Sequence, residues 1–136
     1  MNQPNTQGER IFAFLDTAIT AREKAAHGAP SGPWSVRLDD DAIVAPDGIT
    51  VAEAFALSGQ QTSSILDLIA LHDATEVLRR CTTERKLIAL HGGSMHSCPA
   101  TDDTGYLDEW TQFGYEDACP VLRLLAKGYG WTEDGR

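Results

Sequence analysis

The sequence predicts an α+β domain. Three observations carry that expectation. Apolar residues recur at helical spacing in four segments, apolar and polar residues alternate between Trp34 and Glu53, and Gly, Pro and Asp separate the two patterns. The expected order is an N-terminal helix, a small three-stranded antiparallel sheet, two central helices and a C-terminal helix. A flexible N-terminus over 1–8, a single domain over 9–130 and a tail over 131–136 complete the plan. A chain of 136 residues suits one hydrophobic core.

The first helix is expected from Glu9 to Ala26. Ile11, Phe12, Leu15, Ala18 and Ile19 form one stripe, and Gly28 and Pro30 end it. His27 sits at its C-terminal end, where a cation suits the helix dipole. Ser31-Gly32-Pro33 is a turn. Trp34, Val36 and Leu38 then alternate with Ser35, Arg37 and Asp39, which predicts a half-buried strand. Asp39-Asp40-Asp41 lacks the alternate-position ligands and closing Glu of a calcium loop, so it reads as a solvated turn. Pro46-Asp47-Gly48 joins two further strands, because Pro presets the first turn dihedral and Gly accepts a positive φ.

Ala56–Gln61 is a connector, followed by a helix from Thr62 to His72 and a second from Ala74 to His91. Asp73 is placed to cap the second, with Glu76 three residues on. Val77, Cys81, Glu84, Ile88 and His91 share one stripe of that helix. Residues 92–118 read as a long loop holding an aromatic and acidic insert over 99–118. Leu107, Trp110 and Phe113 are spaced to share one short helical face. The last helix opens near Cys119, with Pro120 at its first position, and ends at Gly128.

The net charge is −9, distributed as −4 over 1–60, zero over 61–97 and −5 over 98–136. No stretch is basic enough to hold phosphates, so direct nucleic-acid binding is disfavoured. An acidic chain suits a basic partner surface. Met1-Asn2-Gln3-Pro4-Asn5 has no signal-peptide character, and no apolar run approaches the roughly 20 residues of a membrane span. A cytoplasmic location is expected, with the three cysteines as thiols or metal ligands.

The constellation that carries chemistry is His91, His96, Cys98 and Cys119. Imidazole and thiolate are a zinc-like ligand set, and four residues separate the two histidines. Cys119 opens a helix, whose positive end suits a thiolate. The alternative is two loop histidines and two ordinary cysteines. Cys81 lies on a core stripe and reads as a small buried hydrophobe. His72-Asp73 lacks the further His and Asp ligands of a phosphohydrolase dyad. Neither a nucleophile elbow nor a phosphate loop is present. Tyr106, Trp110, Phe113 and Tyr115 offer either a partner-binding surface or packing over the core.

Landmarks along the chain carry a resemblance: Gly32-Pro33-Trp34, Ile69-Ala70-Leu71-His72-Asp73 running into Val77-Leu78-Arg79, and Cys119-Pro120-Val121-Leu122-Arg123-Leu124-Leu125-Ala126. Over residues 9–128 the chain resembles a family of small uncharacterised proteins from actinobacteria and their phages. That family shares GPW, I-A-x-H-D-P-x-R-V-L, a His after the long helix, C-x-x-C and C-P-T-L-R-L-L-A. It has no established activity. The resemblance implies a zinc site at His91, Cys98 and Cys119, with His96 in place of a missing cysteine. Ala74 stands where the family often has Pro.

The expected function is that of a small non-enzymatic phage or prophage accessory protein. It would bind an unidentified host or phage protein in the host cytoplasm, with a structural zinc. Two alternatives remain: a small zinc-dependent hydrolase using Glu84 as general base, and an acidic nucleic-acid mimic that inhibits a host DNA- or RNA-binding protein.

Overall fold

The computed structural model describes residues 6–92, 95–101, 107–114 and 117–133. The architecture is α+β, with four α-helices, a three-stranded antiparallel sheet and a separate two-stranded sheet among the described residues. The chain divides into two compact units, one of Met1–Thr20 with Thr83–Arg136 and one of Ala21–Thr82. Helices α1 (Gln7–Gly28) and α3 (Ala74–Gly92) contribute residues to both units.

In the Ala21–Thr82 unit, β1 (Ser35–Arg37), β2 (Ala42–Val44) and β3 (Thr50–Glu53) lie in chain order. Val36 pairs with Ile43, and Ile43 with Ala52. The aspartate run forms a short 3-10 turn over Leu38–Asp40, with Asp41 in the left-handed region at φ 50°. Arg37 donates to Asp40 at 2.7 Å across this turn. At Pro46-Asp47-Gly48 the Gly48 N–H donates to the Ala45 carbonyl at 2.9 Å, and Gly48 has φ 86°. The chain thus turns from Ala45 to Gly48 and leaves through a left-handed residue, a conformation that glycine adopts without steric cost.

Helix α2 (Gly59–Leu71) lays Leu66 on Ile43 and Ala54, with Trp34, Val36, Val51 and Ile69 packed around them. It starts three residues before the expected Thr62, because the Ser58 hydroxyl accepts the Gln61 N–H at 3.1 Å and caps it.

Asp73 connects the Gly-Pro-Trp turn to α3. One carboxylate oxygen caps the helix by accepting the Glu76 N–H at 2.7 Å, and the other accepts the Trp34 N–H at 3.2 Å. The Gly32 N–H donates to the Thr75 hydroxyl at 2.8 Å, and the Trp34 indole to the Pro30 carbonyl at 2.9 Å. A Cβ on residue 32 would meet the Asp73 carboxylate at 2.5 Å, so this approach requires glycine. His72-Asp73 is therefore a structural junction.

In the other unit, Thr6 and Glu9 form a capping box. The Glu9 N–H donates to the Thr6 hydroxyl at 3.0 Å, and the Thr6 N–H to the Glu9 carboxylate at 3.4 Å. The helix accordingly begins at Gln7, ahead of the expected Glu9. Ile11 and Leu15 pack with Cys98, Cys119, Leu122 and Trp131.

The region 92–118, expected as a loop, contains an antiparallel hairpin of β4 (His96–Thr101) and β5 (Leu107–Phe113). Leu107, Trp110 and Phe113 thus lie along a strand, not on a helical face. Strand pairing overrides the local spacing, and a two-stranded ladder tolerates Pro99 because each strand is an edge.

Helix α4 (Pro120–Gly128) ends in a Schellman motif. The Trp131 N–H reaches the Ala126 carbonyl at 2.9 Å and the Gly130 N–H the Lys127 carbonyl at 3.0 Å, with Gly130 at φ 100°. Trp131, expected at the start of a tail, is buried and packs edge-on against Phe14 with ring centroids 5.3 Å apart. The rest of the expected N-terminal segment and tail, 1–5 and 134–136, falls outside the described residues.

Candidate metal centre

Three elements of one unit bring His91, His96, Cys98 and Cys119 together. His91 occupies the last turn of α3. Gly92 follows it with no room for a side chain, because a Cβ there would overlap the Phe12 ring. His96 and Cys98 are two apart on β4. A spacing of two is unusual for ligands in a loop, but in a strand it puts both side chains on one face. Phe113 is the cross-strand partner of His96, and its ring stacks on the imidazole with centroids 5.9 Å apart. Cys119 is the N-cap residue of α4, and its thiol makes no capping bond.

One ligand atom from each residue lies within 4.8 Å of every other. Nδ1 of His91 is 3.3 Å from Nε2 of His96, 3.1 Å from Sγ of Cys98 and 3.4 Å from Sγ of Cys119. Tetrahedral zinc, with Zn–N of about 2.0–2.1 Å and Zn–S of about 2.3 Å, separates N from N by about 3.3 Å and N from S by about 3.6 Å. The three separations from Nδ1 of His91 fall within about half an ångström of that geometry, and the remaining pairs lie within 4.8 Å.

A single hydrogen bond at Nδ1 of His91 does not account for all three contacts. An imidazole nitrogen carries one lone pair or one N–H and serves one partner well. Nδ1 of His91 faces three. A cation at the centre would engage all four atoms at once.

Burial, followed by the neighbouring His96, lowers the His91 pKa from its ordinary 6.5 and favours the neutral ring that a metal requires. Burial, followed by the Cys119 thiol, raises the Cys98 pKa from 9.0. A metal must therefore displace a proton from Cys98 on binding. The sulfurs are buried and the imidazoles half-buried, so the centre is partly shielded from water.

A family model matches residues 8–131, nearly the whole chain. The chain belongs to the family of unknown function DUF6221. No curated protein and no solved structure matches it. All four residues of the cluster lie inside the DUF6221 match.

The other candidate residues fall elsewhere. Cys81 is buried on α3, ten residues before His91 and so about 15 Å along the helix axis. None of the three cysteines forms a disulfide. The Glu84 carboxylate accepts the Tyr129 hydroxyl. Phe113 is half-buried and packs against the core. Tyr106 and Tyr115 lie outside the described residues, and only the backbone of Trp110 is described. No helix among the described residues is long and apolar enough to cross a membrane.

The signal that sequence reasoning lacked was the hairpin. Once β4 is a strand, the His96–Cys98 spacing follows from the pleat.

Proposed function

We propose that His91, His96, Cys98 and Cys119 hold one zinc ion with a structural role. The domain would act as a non-enzymatic accessory protein that binds another protein. The observation that carries the metal reading is the single nitrogen of His91 facing three ligand atoms at 3.1–3.4 Å. Two imidazoles and two thiolates suit zinc over harder cations. Four protein ligands close the coordination shell, which is the pattern of structural sites. The acidic surface and net charge of −9 favour a basic protein partner. The phage or prophage setting, and a host or phage protein as that partner, rest on the family resemblance.

Elemental analysis of the purified protein, with thiol titration before and after chelation, tests the metal reading. About one zinc per chain is expected, with the Cys98 and Cys119 thiols becoming reactive when it is removed. Protein that carries no zinc and takes none up on titration overturns it. The hydrolase reading needs an open coordination position and a carboxylate acting as base. The Tyr129 hydroxyl on Glu84 disfavours that residue for the task. The mimic reading requires salt-sensitive binding to a basic nucleic-acid-binding protein, in competition with its nucleic acid.

A further inference from the structure

Helix α2 turns Leu66 and Ile69 to the sheet and leaves Ile65, Leu68 and Leu71 exposed. At 100° per residue these three span an arc of about 120°, the width of a face that helices normally bury. The segment leading into α2 is equally uncovered, with Phe55 86% and Leu57 101% exposed. Leu57 and Ile65, with Gln61 and Ser64, line an open groove of about 590 Å³. An apolar face of this kind marks an interaction surface.

Between Leu38 and Leu78 the chain carries eight acidic residues and no Lys or Arg. Asp40 pairs with Arg37, Glu76 with Arg79, and Asp73 is a buried cap, which leaves Asp39, Asp41, Asp47, Glu53 and Asp67 as the other exposed acidic groups of this stretch. Exposed Glu53 stands two residues before Phe55, and exposed Asp67 is adjacent to Leu68. We infer that this face is a docking groove for a basic amphipathic segment of a partner protein. The partner's apolar side chains would seat along Leu57, Ile65 and Leu68, and its Lys and Arg would meet the acidic flank. A second copy of this chain would bring the same negative charge to the contact. Anionic membranes and nucleic acids are repelled for the same reason. The inference rests on the protein-binding part of the proposed function and not on the metal.

Fluorescence anisotropy with the full chain and three labelled synthetic peptides tests it. One is an amphipathic helix of Leu and Lys, one its twin with Glu for Lys, and one a scrambled peptide of the first composition. The first is expected to bind at least about ten-fold more tightly than either twin. The combined Leu57→Ser and Leu68→Ser substitutions should lose about ten-fold, while Leu124→Ser, exposed on α4, should change nothing. Gln61→Lys should also weaken the basic peptide without touching the core. Equal binding of the scrambled peptide, or indifference to the Leu57 and Leu68 substitutions, overturns the inference. So does a concentration-dependent dimer in sedimentation that those substitutions abolish, or preferential binding to phosphatidylglycerol vesicles. Zinc content, measured on the same sample, reports on the metal reading separately.

Discussion

The Cys98 sulfur stands 3.1 Å from Nδ1 of His91, although one residue lies on a strand and the other ends a helix. The hairpin delivers His96 and Cys98 on one face, and the start of α4 delivers Cys119 to the same point. Each element contributes what its own geometry presents, and only their packing in one unit makes a centre of them.

Substitution separates ligands from bystanders. Cys98→Ser or His91→Ala should reduce bound zinc to well below one per chain and lower the thermal midpoint. Structural zinc can contribute roughly 10–16 kcal/mol of apparent binding free energy, comparable to the roughly 5–15 kcal/mol net stability of a domain. Cys81→Ala should keep full zinc occupancy, because Cys81 is not part of the cluster. Elemental analysis and calorimetry on the three variants decide the matter.

Acid and alkali should each destabilise the metal-free protein. The His91 pKa is lowered in the folded state, so the unfolded chain binds the proton more tightly, and stability is lost as pH falls through 6.5. The Cys98 pKa is raised, so the unfolded thiol ionises first, and stability is lost as pH rises past 9.0. Urea midpoints of chelated protein should therefore be highest between these values. Metal-loaded protein should resist alkali better and release its ion in acid, where protons compete for the ligands.

The fit of Gly92 against Phe12 should be felt at the metal. Gly92→Ala forces a shift where α3 ends, next to His91, and should weaken zinc affinity measured against a chromophoric chelator. Phe12→Leu in the same chain relieves the overlap and should restore part of that affinity. Additive losses in the double variant would show that this packing does not position His91.

Asp73→Ala should cost about 2 kcal/mol in chemical denaturation. The loss of a helix cap accounts for about 1 kcal/mol, and an unsatisfied Trp34 N–H adds a similar amount. Gly32→Ala should destabilise by about 1–3 kcal/mol through the crowding of the Asp73 carboxylate. The two effects should be less than additive, because removing the carboxylate also removes the clash.

Local rules made much of this protein legible before its structure. Asp73 followed by Glu76 announced the start of α3, and Pro46-Asp47-Gly48 announced its hairpin, because caps and turns are contracts among adjacent residues. The same rules were available at Thr6 with Glu9, where a capping box extends α1 beyond its expected start. Residues 92–118 were a different matter. Leu107, Trp110 and Phe113 fit a helical spacing, and nothing nearby reveals that β5 pairs with β4.

The sequence by itself determined the α+β class, the bounds of α3 to within a residue, and the identity of four residues able to hold a cation. Tertiary structure alone decided that His96 and Cys98 share a strand face, that Phe113 stacks on His96, and that Trp131 belongs to the core. The division has a physical reason. Helix periodicity, caps and turns are set by neighbours in the chain, whereas pairing two strands, burying a terminal indole and converging four side chains depend on residues far apart in sequence.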